Sequence, residues 1–539
     1  MIVVGAGFAG PVAAKKCAEA GLKTLLLERS ENPGEKVVSG LTIPVYGFLF
    51  GPAFIRDGNP PVERPVDGIR NYVIYDIKAG DMDIIELRIP RPFSPVFAFG
   101  YNAYCRPFIA WEVQQALESG VHLMTSTTVV DIIQEGGQVR GVVTEKDERI
   151  GARLVIDCEG SQGILAVRAG IRRRYPPEVI SLADTYDYEC PRDVIDRVFG
   201  YSLRFCWGFD EQMIAPPLGH GNGLMSWPYR NSIHWMQDQC LALEGAQVPN
   251  LRKLFDEYHS NITSQLPWWR DEIAPRVELR ARMFEGFEIF VGLDEKLRNM
   301  PNFTDGMLLV GDAAGLESTG LCDGVPAAWF SAEIAADVAI QALKSGDTSA
   351  GFLKRYDQRI KAHPLIQWSI TCSGRYNLRK AQESHDRREL KDRVNYQFGP
   401  GVLTHVSSPL VQSMLHAISR KPTVLVTWVK MFHRYYYNWE HARFGPEKHA
   451  GWPKVNGCYG ASLAFFYGLA CLLSPLSWLL AWLFEPLSVA VNPLVRALQP
   501  GIELILRSWI KLEPSLERLT GWVTGSVIKS NPSLFDASR

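Results

Sequence analysis

No two cysteines in this chain are spaced C-x-x-C. All ten lie singly, at positions 17, 105, 158, 190, 206, 240, 322, 372, 458 and 471. That pattern excludes the usual ligand runs for a zinc site or an iron–sulfur cluster carried on the chain itself, and it suits a reducing compartment. An excess of either charge is also lacking. Lys and Arg number 57 against 58 Asp and Glu, a net charge of −1, so nothing in the balance points to a nucleic-acid partner. The N-terminus lacks the basic leader and separate apolar core of a signal peptide, because its first apolar residues run straight into glycines. Internal repeats and low-complexity tracts are absent. At 539 residues the chain is too long for one compact core and reads as roughly two to four domains.

What is present starts at once, with MIVVGAGFAGPVAAKKCAEAGLKTLLLERS at residues 1–30. Met1 to Val4 suits a short buried parallel strand, and a helix-like run reaches Ala20. Between them Gly5, Gly7 and Gly10 form G-x-G-x-x-G around Phe8 and Ala9. In such a turn the first glycine permits the tight bend, the second lets backbone approach a pyrophosphate, and the third lets helix pack on strand. The helix N-terminus offers unpaired N–H groups to phosphate, and Pro11 sits where a missing N–H costs nothing. A second apolar run ends on Glu28, followed by Arg29, at the distance where an acid binds a ribose hydroxyl. The glycines alone fit a tight turn without ligand. Strand, helix, second strand and terminal acid in register point to a dinucleotide site, without choosing the dinucleotide. A start at Met1 leaves the first strand shorter than usual, which either the sheet accepts or an upstream start repairs.

Further along, residues 31–100 read as loop-rich, with Pro and Gly dense around GPAFIRDGNPPVERPVDG. A helix is expected from about Pro107 to Ser119, then a hairpin formed by TTVVDIIQE and QVRGVVTEK about Gly136–Gly137. ARLVIDCEG reads as a buried strand and GMLLVGDAAG as strand and turn. VPAAWFSAEIAADVAIQAL reads as a long helix, and residues 171–300 are mixed and rich in aromatics. Residues 350–450 look helical. Residues 457–484 carry no charge, and a bilayer-crossing helix needs only about 20 apolar residues. Pro475 interrupts the run, and residues 485–519 mix apolar faces with scattered Arg and Lys, as interfacial helices do. The tail is expected to meet a membrane, as a span or as a bent half-immersed hairpin; a buried core hairpin is the competing reading.

Three stretches taken together resemble a known family: the opening turn, LVIDCEGSQGILAVRAGI, and LLVGDAAGLESTGLCDGVPAA. Their order and spacing resemble FAD-binding proteins of the glutathione-reductase-like fold. Within that fold the chain is similar to geranylgeranyl reductases and FixC-like electron-transfer flavoprotein–ubiquinone oxidoreductases, over roughly residues 1–360. The resemblance implies FAD as cofactor. It implies that Asp312, after Gly311, binds a ribitol or ribose hydroxyl, and that the helix beginning at Gly324 and Val325 points its N-terminus at the flavin. It places Arg106 and Val130 near the cofactor, and Ser39 and Gly40 in a loop beside the flavin. Glu159–Gly160 stand where the family usually has Asp-Gly, and Val38–Ser39–Gly40 lack the cysteine that geranylgeranyl reductases often carry there. GLMSWPYRNSIHWMQ, residues 223–237, corresponds to a strand over the flavin. Trp227, Tyr229, His234 and Trp235 would wall a lipophilic pocket there, with His234, Tyr229 and Trp227 as catalytic candidates. A plain strand whose aromatics pack a core reads the same.

The implied architecture is α/β. It comprises a discontinuous FAD-binding Rossmann domain (1–170 and 290–345) and an inserted α+β, antiparallel-sheet substrate domain (171–289 with part of 40–100). A helical region (346–450) and a hydrophobic membrane-associated C-terminal region (451–539) follow. The implied activity is a membrane-associated, FAD-dependent oxidoreductase acting on an isoprenoid or prenyl lipid or on a quinone, with its catalytic part on the cytoplasmic side. The implied partners are the lipophilic substrate, membrane lipid, and an electron donor such as a ferredoxin-like protein or an electron-transfer flavoprotein. The alternative is a monooxygenase of the same fold using NAD(P)H and O2; a halogenase is disfavoured by the absence of W-x-W-x-I-P.

Overall fold

The computed structural model describes residues 1–35, 40–89, 98–175, 180–200, 202–208, 223–240, 251–288, 299–316, 324–366 and 386–402, with isolated positions between 410 and 512. Short runs of Val, Ile and Leu build its first sheet. Six strands lie in the order Phe303–Thr304, Met307–Leu309, Val155–Asp157, Ile2–Val4, Leu25–Leu27 and His122–Met124. All neighbours are parallel except the first pair. Because side chains alternate, Val3, Leu26, Ile156 and Leu308 enter one core, while Ile2, Val4, Leu27, Val155, Met307 and Leu309 enter another. Burial on both faces is what a parallel sheet requires.

Helix Gly10–Glu19 lies on the first face, packed between helices Cys105–Glu118 and Gly324–Ser345. The second face is covered by a three-stranded sheet of Val129–Glu135, Gln138–Thr144 and Arg149–Gly151, together with helix Ile164–Arg168. The expected hairpin forms there, with Gly136 and Gly137 both at positive φ, 59° and 81°, as a tight two-residue turn demands.

A seven-stranded sheet has the order Glu278–Glu288, Ile180–Glu189, Ser232–Cys240, Gly223–Pro228, Ser202–Gly208, Gly68–Asp76 and Asp81–Arg88. Only Ser202–Gly208 and Gly68–Asp76 pair in parallel. Helices Arg192–Val198, Leu251–Gln265 and Pro267–Arg270 cover one face through Ile195, Tyr258, Ile262, Trp268 and Trp269. Helix Arg387–Phe398 packs on the other through Leu390, Val394 and Phe398. Residues 31–100, expected as loops, supply strands Gly40–Pro44, Arg64–Val66, Gly68–Asp76 and Asp81–Arg88 and two short helices. Their prolines and glycines sit at the joints of short elements, so the density of breakers there reflects many ends rather than missing structure.

A third sheet, Gly40–Pro44, Gly100–Tyr104 and Arg64–Val66, is antiparallel and bridges the two larger ones. Asn102 Nδ2 donates to the Pro228 carbonyl at 2.7 Å, and the Leu41 N–H donates to Tyr229 Oη at 2.9 Å. The uncharged run at 457–484 lies almost wholly outside the described residues. Among the described residues no helix is long and apolar enough to cross a membrane.

Candidate functional site

The glycine turn closes at the carboxyl end of strand Ile2–Val4. Gly5 has φ +96°, and a Cβ there would lie 2.4 Å from the Cys158 carbonyl oxygen. A Cβ on Gly10 would lie 1.9 Å from the Gly5 carbonyl oxygen, whereas one on Gly7 would meet nothing within 4 Å. Two glycines are thus demanded by protein packing, and the middle one faces open space. Helix Gly10–Glu19 has no side-chain cap at Ala9 and no acid in its first turn. Its positive end, with several N–H groups lacking an intrahelical acceptor, is therefore suited to a phosphate. Phe8 anchors the turn from behind, its ring 6.0 Å from that of Phe108 and 6.5 Å from that of Trp329.

Glu28 ends its strand with both oxygens engaged by backbone. Oε2 accepts from the Ala6 N–H at 2.8 Å and Oε1 from the Ser30 N–H at 2.9 Å. A carboxylate has lone pairs to spare for hydroxyl donors, so the acid is fixed in place and still able to accept. Beside it, Arg29 Nη1 donates to Gln162 Oε1 at 3.3 Å.

Two more strand ends meet the same edge. Asp157 is fully buried, its Oδ1 accepting from the Glu159 N–H at 3.0 Å. Burial, with the Glu159 charge adding to it, pushes the Asp157 carboxyl well above the usual range against the pull of Arg172. The Glu159 side chain turns to the protein, where Oε1 accepts from the Leu165 N–H at 2.8 Å near the start of helix Ile164–Arg168. Gly160, at φ +78°, has open space where a Cβ would be. Gly311, at φ +63°, sits between the opening turn and the long helix; a Cβ there would lie 3.5 Å from Ala328 Cβ and 3.7 Å from Ala9 Cβ. Asp312 follows in a 3-10 turn, Gly311–Ala314, packed beside the 3-10 turn Gly160–Gln162. Gly324 and Val325 open the long helix, which also has no acid in its first turn.

The edge thus gathers Gly5, Gly7, Phe8, Ala9, Gly10, Glu28, Arg29, Glu159, Gly160, Gly311 and Asp312 at the carboxyl ends of parallel strands, where open α/β sheets bind ligands. Arg106 stands apart, in the first turn of helix Cys105–Glu118, paired with Glu35 at 2.8 Å. Val130 lies on the covering sheet and is 36% exposed. Gly40 opens its strand opposite Tyr104, and Ser39 lies outside the described residues.

The pocket candidates divide by strand alternation. Trp227 and His234 are directly paired across neighbouring strands and share a face, with Tyr229 just beyond. Trp235 takes the opposite face, where its ring lies 4.4 Å from that of Trp269; it packs the outer core and walls no pocket with the other three. Tyr229 stacks on Tyr104 with centroids 4.3 Å apart, and His234 lies 4.4 Å from Tyr229 and 5.4 Å from Tyr104. Burial pushes both tyrosine hydroxyls up, Tyr229 furthest.

Sequence reasoning missed the groups behind this wall. Asp187 Oδ1 lies 3.3 Å from His234 Nε2, and Asp187 Oδ2 accepts from Arg280 Nε at 2.8 Å and Nη2 at 2.6 Å. Burial works to raise the Asp187 carboxyl, but His234 and Arg280 outweigh it and hold it below the usual range. The only signal for Asp187 was its place in an alternating strand, which does not say what faces it.

Comparison with known proteins adds to this geometry. The family of FAD-dependent oxidoreductases matches residues 1–201. Protein FixC of Escherichia coli K12 is 28% identical over 368 residues, which span 68% of this chain and 82% of that one. Protein FixC of Bradyrhizobium diazoefficiens is 29% identical over 364 residues, 64% of this chain and 76% of that one. Among solved structures, a geranylgeranyl bacteriochlorophyll reductase-like protein of Thermoplasma acidophilum aligns with a TM-score of 0.54 at 18% identity, covering 76% of this chain and 98% of that one. The halogenase PltM aligns with a TM-score of 0.54 at 12% identity, covering 93% and 95%. At such identities the structural likenesses establish the fold.

Proposed function

We propose that this FAD-dependent oxidoreductase, similar to FixC proteins, moves a hydride or electrons between FAD and a lipophilic substrate at a membrane. FAD supplies the redox chemistry when bound. Gly5, Gly7 and Gly10 with the helix end at Ala9 hold its pyrophosphate, and Glu28 takes a ribose hydroxyl. Gly311–Asp312 and the helix start at Gly324–Val325 attend its flavin half. The open space over Gly7 and the uncapped helix end fit such a group.

The observation that carries the substrate reading is the Tyr104–Tyr229–His234 wall. Tyr229 is tied by hydrogen bond to Leu41, the residue after Gly40, so the aromatic wall begins where the cofactor loop ends. Flat apolar walls with few polar tips suit a prenyl lipid or a quinone. The tail supports a membrane setting. Leu494, Leu498, Leu504, Ile505 and Leu512 are helical and 52–67% exposed, a stripe of the kind that interfacial helices bury in lipid. Electrons arrive from a separate carrier, a ferredoxin-like protein or an electron-transfer flavoprotein, because the cysteines here lack ferredoxin spacing.

Purification from membranes in mild detergent, with a flavin spectrum and mass spectrometry of co-extracted lipids, tests the proposal. A yellow protein with one FAD and an enriched isoprenoid or quinone supports it. A colourless protein, or a yellow one in which no lipid is enriched over bulk membrane, overturns it.

A further inference from the structure

Asp187 and Arg280 belong to none of the cofactor motifs, yet they form a doubly hydrogen-bonded charged pair behind the aromatic wall. Strand Glu278–Glu288 slips register against strand Ile180–Glu189 between Asp187 and Tyr188. Asp187 opposes Ala281 and Tyr188 opposes Leu279, leaving Arg280 as the extra residue of a β-bulge. A bulge re-aims one side chain and disrupts the ladder, and such features concentrate beside active sites. Here it turns Arg280 so that both Nε and Nη2 grip one oxygen of Asp187. The other oxygen is left facing His234, its directly opposed partner on the neighbouring strand.

His234 itself is unusual for a core residue. It is 3% exposed, and among the described residues neither ring nitrogen has a well-formed hydrogen bond. Nε2 lies 3.3 Å from Asp187 Oδ1, and among the described residues Nδ1 has no hydrogen-bond partner. Buried polar groups are ordinarily satisfied, so an imidazole held by one side only is set up to bond something else. Among the described residues, four charged or titratable groups stand near it. Asp187 comes from strand Ile180–Glu189, Arg280 from the bulge, and Tyr229 from the turn after Gly223–Pro228. Tyr104, bonded to Ser232 Oγ and reached by Arg280 Nη2 at 3.5 Å, comes from strand Gly100–Tyr104. Arg280 is 48% exposed on its side chain, so the chain of contacts runs from solvent to the buried ring.

We propose that Asp187 and Arg280 are positioning residues that hold His234 as the proton carrier for the substrate. The proposal rests on the reading that the substrate lies on the Tyr229 face. A substrate that takes a hydride, two electrons and one proton, from the reduced cofactor is left with negative charge on a neighbouring atom. The His234 N–H bond breaks and its proton forms the new O–H or C–H bond there; water on the Arg280 side then returns a proton to the ring. Asp187 stabilises the charged imidazole in the interval, and Arg280 keeps Asp187 from rotating away.

Histidine-selective NMR of the holoprotein and stopped-flow reoxidation test this. In the latter, dithionite-reduced protein is mixed with decylubiquinone and flavin absorbance is followed across pH. Asp187→Asn keeps the shape and removes the charge. Because Asp187 directly opposes the ring, the His234 ring resonances should move in the variant and reoxidation should slow. His234→Gln should slow reoxidation about 100-fold with FAD still bound. Arg280→Lys keeps the charge but loses the two-pronged grip, so the rate should fall with FAD still bound. Unmoved His234 ring resonances in Asp187→Asn, or a parent-like rate in His234→Gln, overturns the proposal. A parent protein that does not reduce decylubiquinone while Asp187→Asn still shifts His234 would sink the quinone branch of the substrate reading and leave the positioning role standing. If Asp187→Asn fails to retain FAD, the other two variants decide by rate.

Discussion

Valine at position 7 separates folding from cofactor binding more sharply than any other change in the opening turn. Gly7 is not at positive φ, and its missing Cβ points to space where no protein atom lies within 4 Å. The apoprotein should therefore fold with its stability altered by no more than about 0.5 kcal/mol, as for an ordinary exposed substitution. FAD is a different matter. Side-chain bulk at the middle glycine pushes the pyrophosphate off the helix end. Losing two hydrogen bonds to charged oxygens, at about 1.5–3 kcal/mol each, removes about 3–6 kcal/mol. That corresponds to about 10²–10⁴ in Kd. Gly5→Val provides the contrast. It forces a β-branched residue to φ +96° with its Cβ 2.4 Å from the Cys158 carbonyl oxygen, so strands Ile2–Val4 and Val155–Asp157 must separate locally. Thermal melting with and without added FAD reads both effects. In the parent, FAD at about 100 times its Kd should raise stability by about 2.7 kcal/mol. Gly7→Val should melt like the parent apoprotein and gain almost nothing from FAD, whereas Gly5→Val should melt lower in either condition. A Gly7→Val protein that binds FAD as the parent does would refute the assignment of this turn to the pyrophosphate.

Three further outcomes are expected. Asp312→Ala should weaken FAD retention on dialysis with little change in apoprotein melting, since the residue lies at the strand-end edge rather than within a core; equal flavin occupancy would remove Asp312 from the site. Glu112 is fully buried and accepts from Trp329 Nε1 at 2.7 Å, and burial raises its carboxyl well above the ordinary value despite that hydrogen bond. The folded state therefore keeps a proton that the unfolded chain releases, so stability is full below the unfolded value near 4.5 and falls as pH rises toward the folded one, by about 1.4 kcal/mol per unit. Glu112→Gln retains the Trp329 bond and should flatten that slope in denaturant titrations at successive pH values; an unchanged slope would mean Glu112 is ionised in the fold. Deletion from Gly451 onward should free the protein from membranes with FAD still bound, and a full-length protein that washes off in salt alone would refute lipid contact, because salt screens charge and does not extract apolar surface.

The opening unit was legible because every level of its signal agrees. Its apolar run is short and dense, its glycines fall at the fixed spacing of a strand–turn–helix, and an acid closes the second strand. Gly10 is required by its contact with Gly5 inside the turn itself, and Gly5 by its positive φ as well as by the Cys158 carbonyl on the adjoining strand. The same holds for the Gly136–Gly137 hairpin. Residues 31–100 were illegible for the opposite reason. Strands such as Arg64–Val66 are short, and their pairing partners lie far away, Gly68–Asp76 against Ser202–Gly208 among them. Breakers crowd the joints, so local composition reads as loop while long-range pairing makes sheet.

The candidate site divides along the same line. Motif residues could be named because a tight strand–turn–helix needs glycine where backbone approaches backbone, and that need is written in the sequence. Groups that act by side chain leave no such mark. Asp187, His234 and Arg280 come from three strands whose order in the sheet is not their order in the chain, and Arg280 joins them only because one residue is extra. Shifting that register by one would restore Arg280 to the ladder and turn it from Asp187, with no change in composition or hydrophobic pattern. Trp235 makes the point from the other side: adjacent to His234 and equally aromatic, it belongs to a different core because alternation across the pleat, rather than proximity in sequence, decides what a strand residue faces. A histidine in a run of aromatics becomes a chemical candidate when its opposite neighbour is a carboxylate held from behind, and that neighbour is set by the sheet.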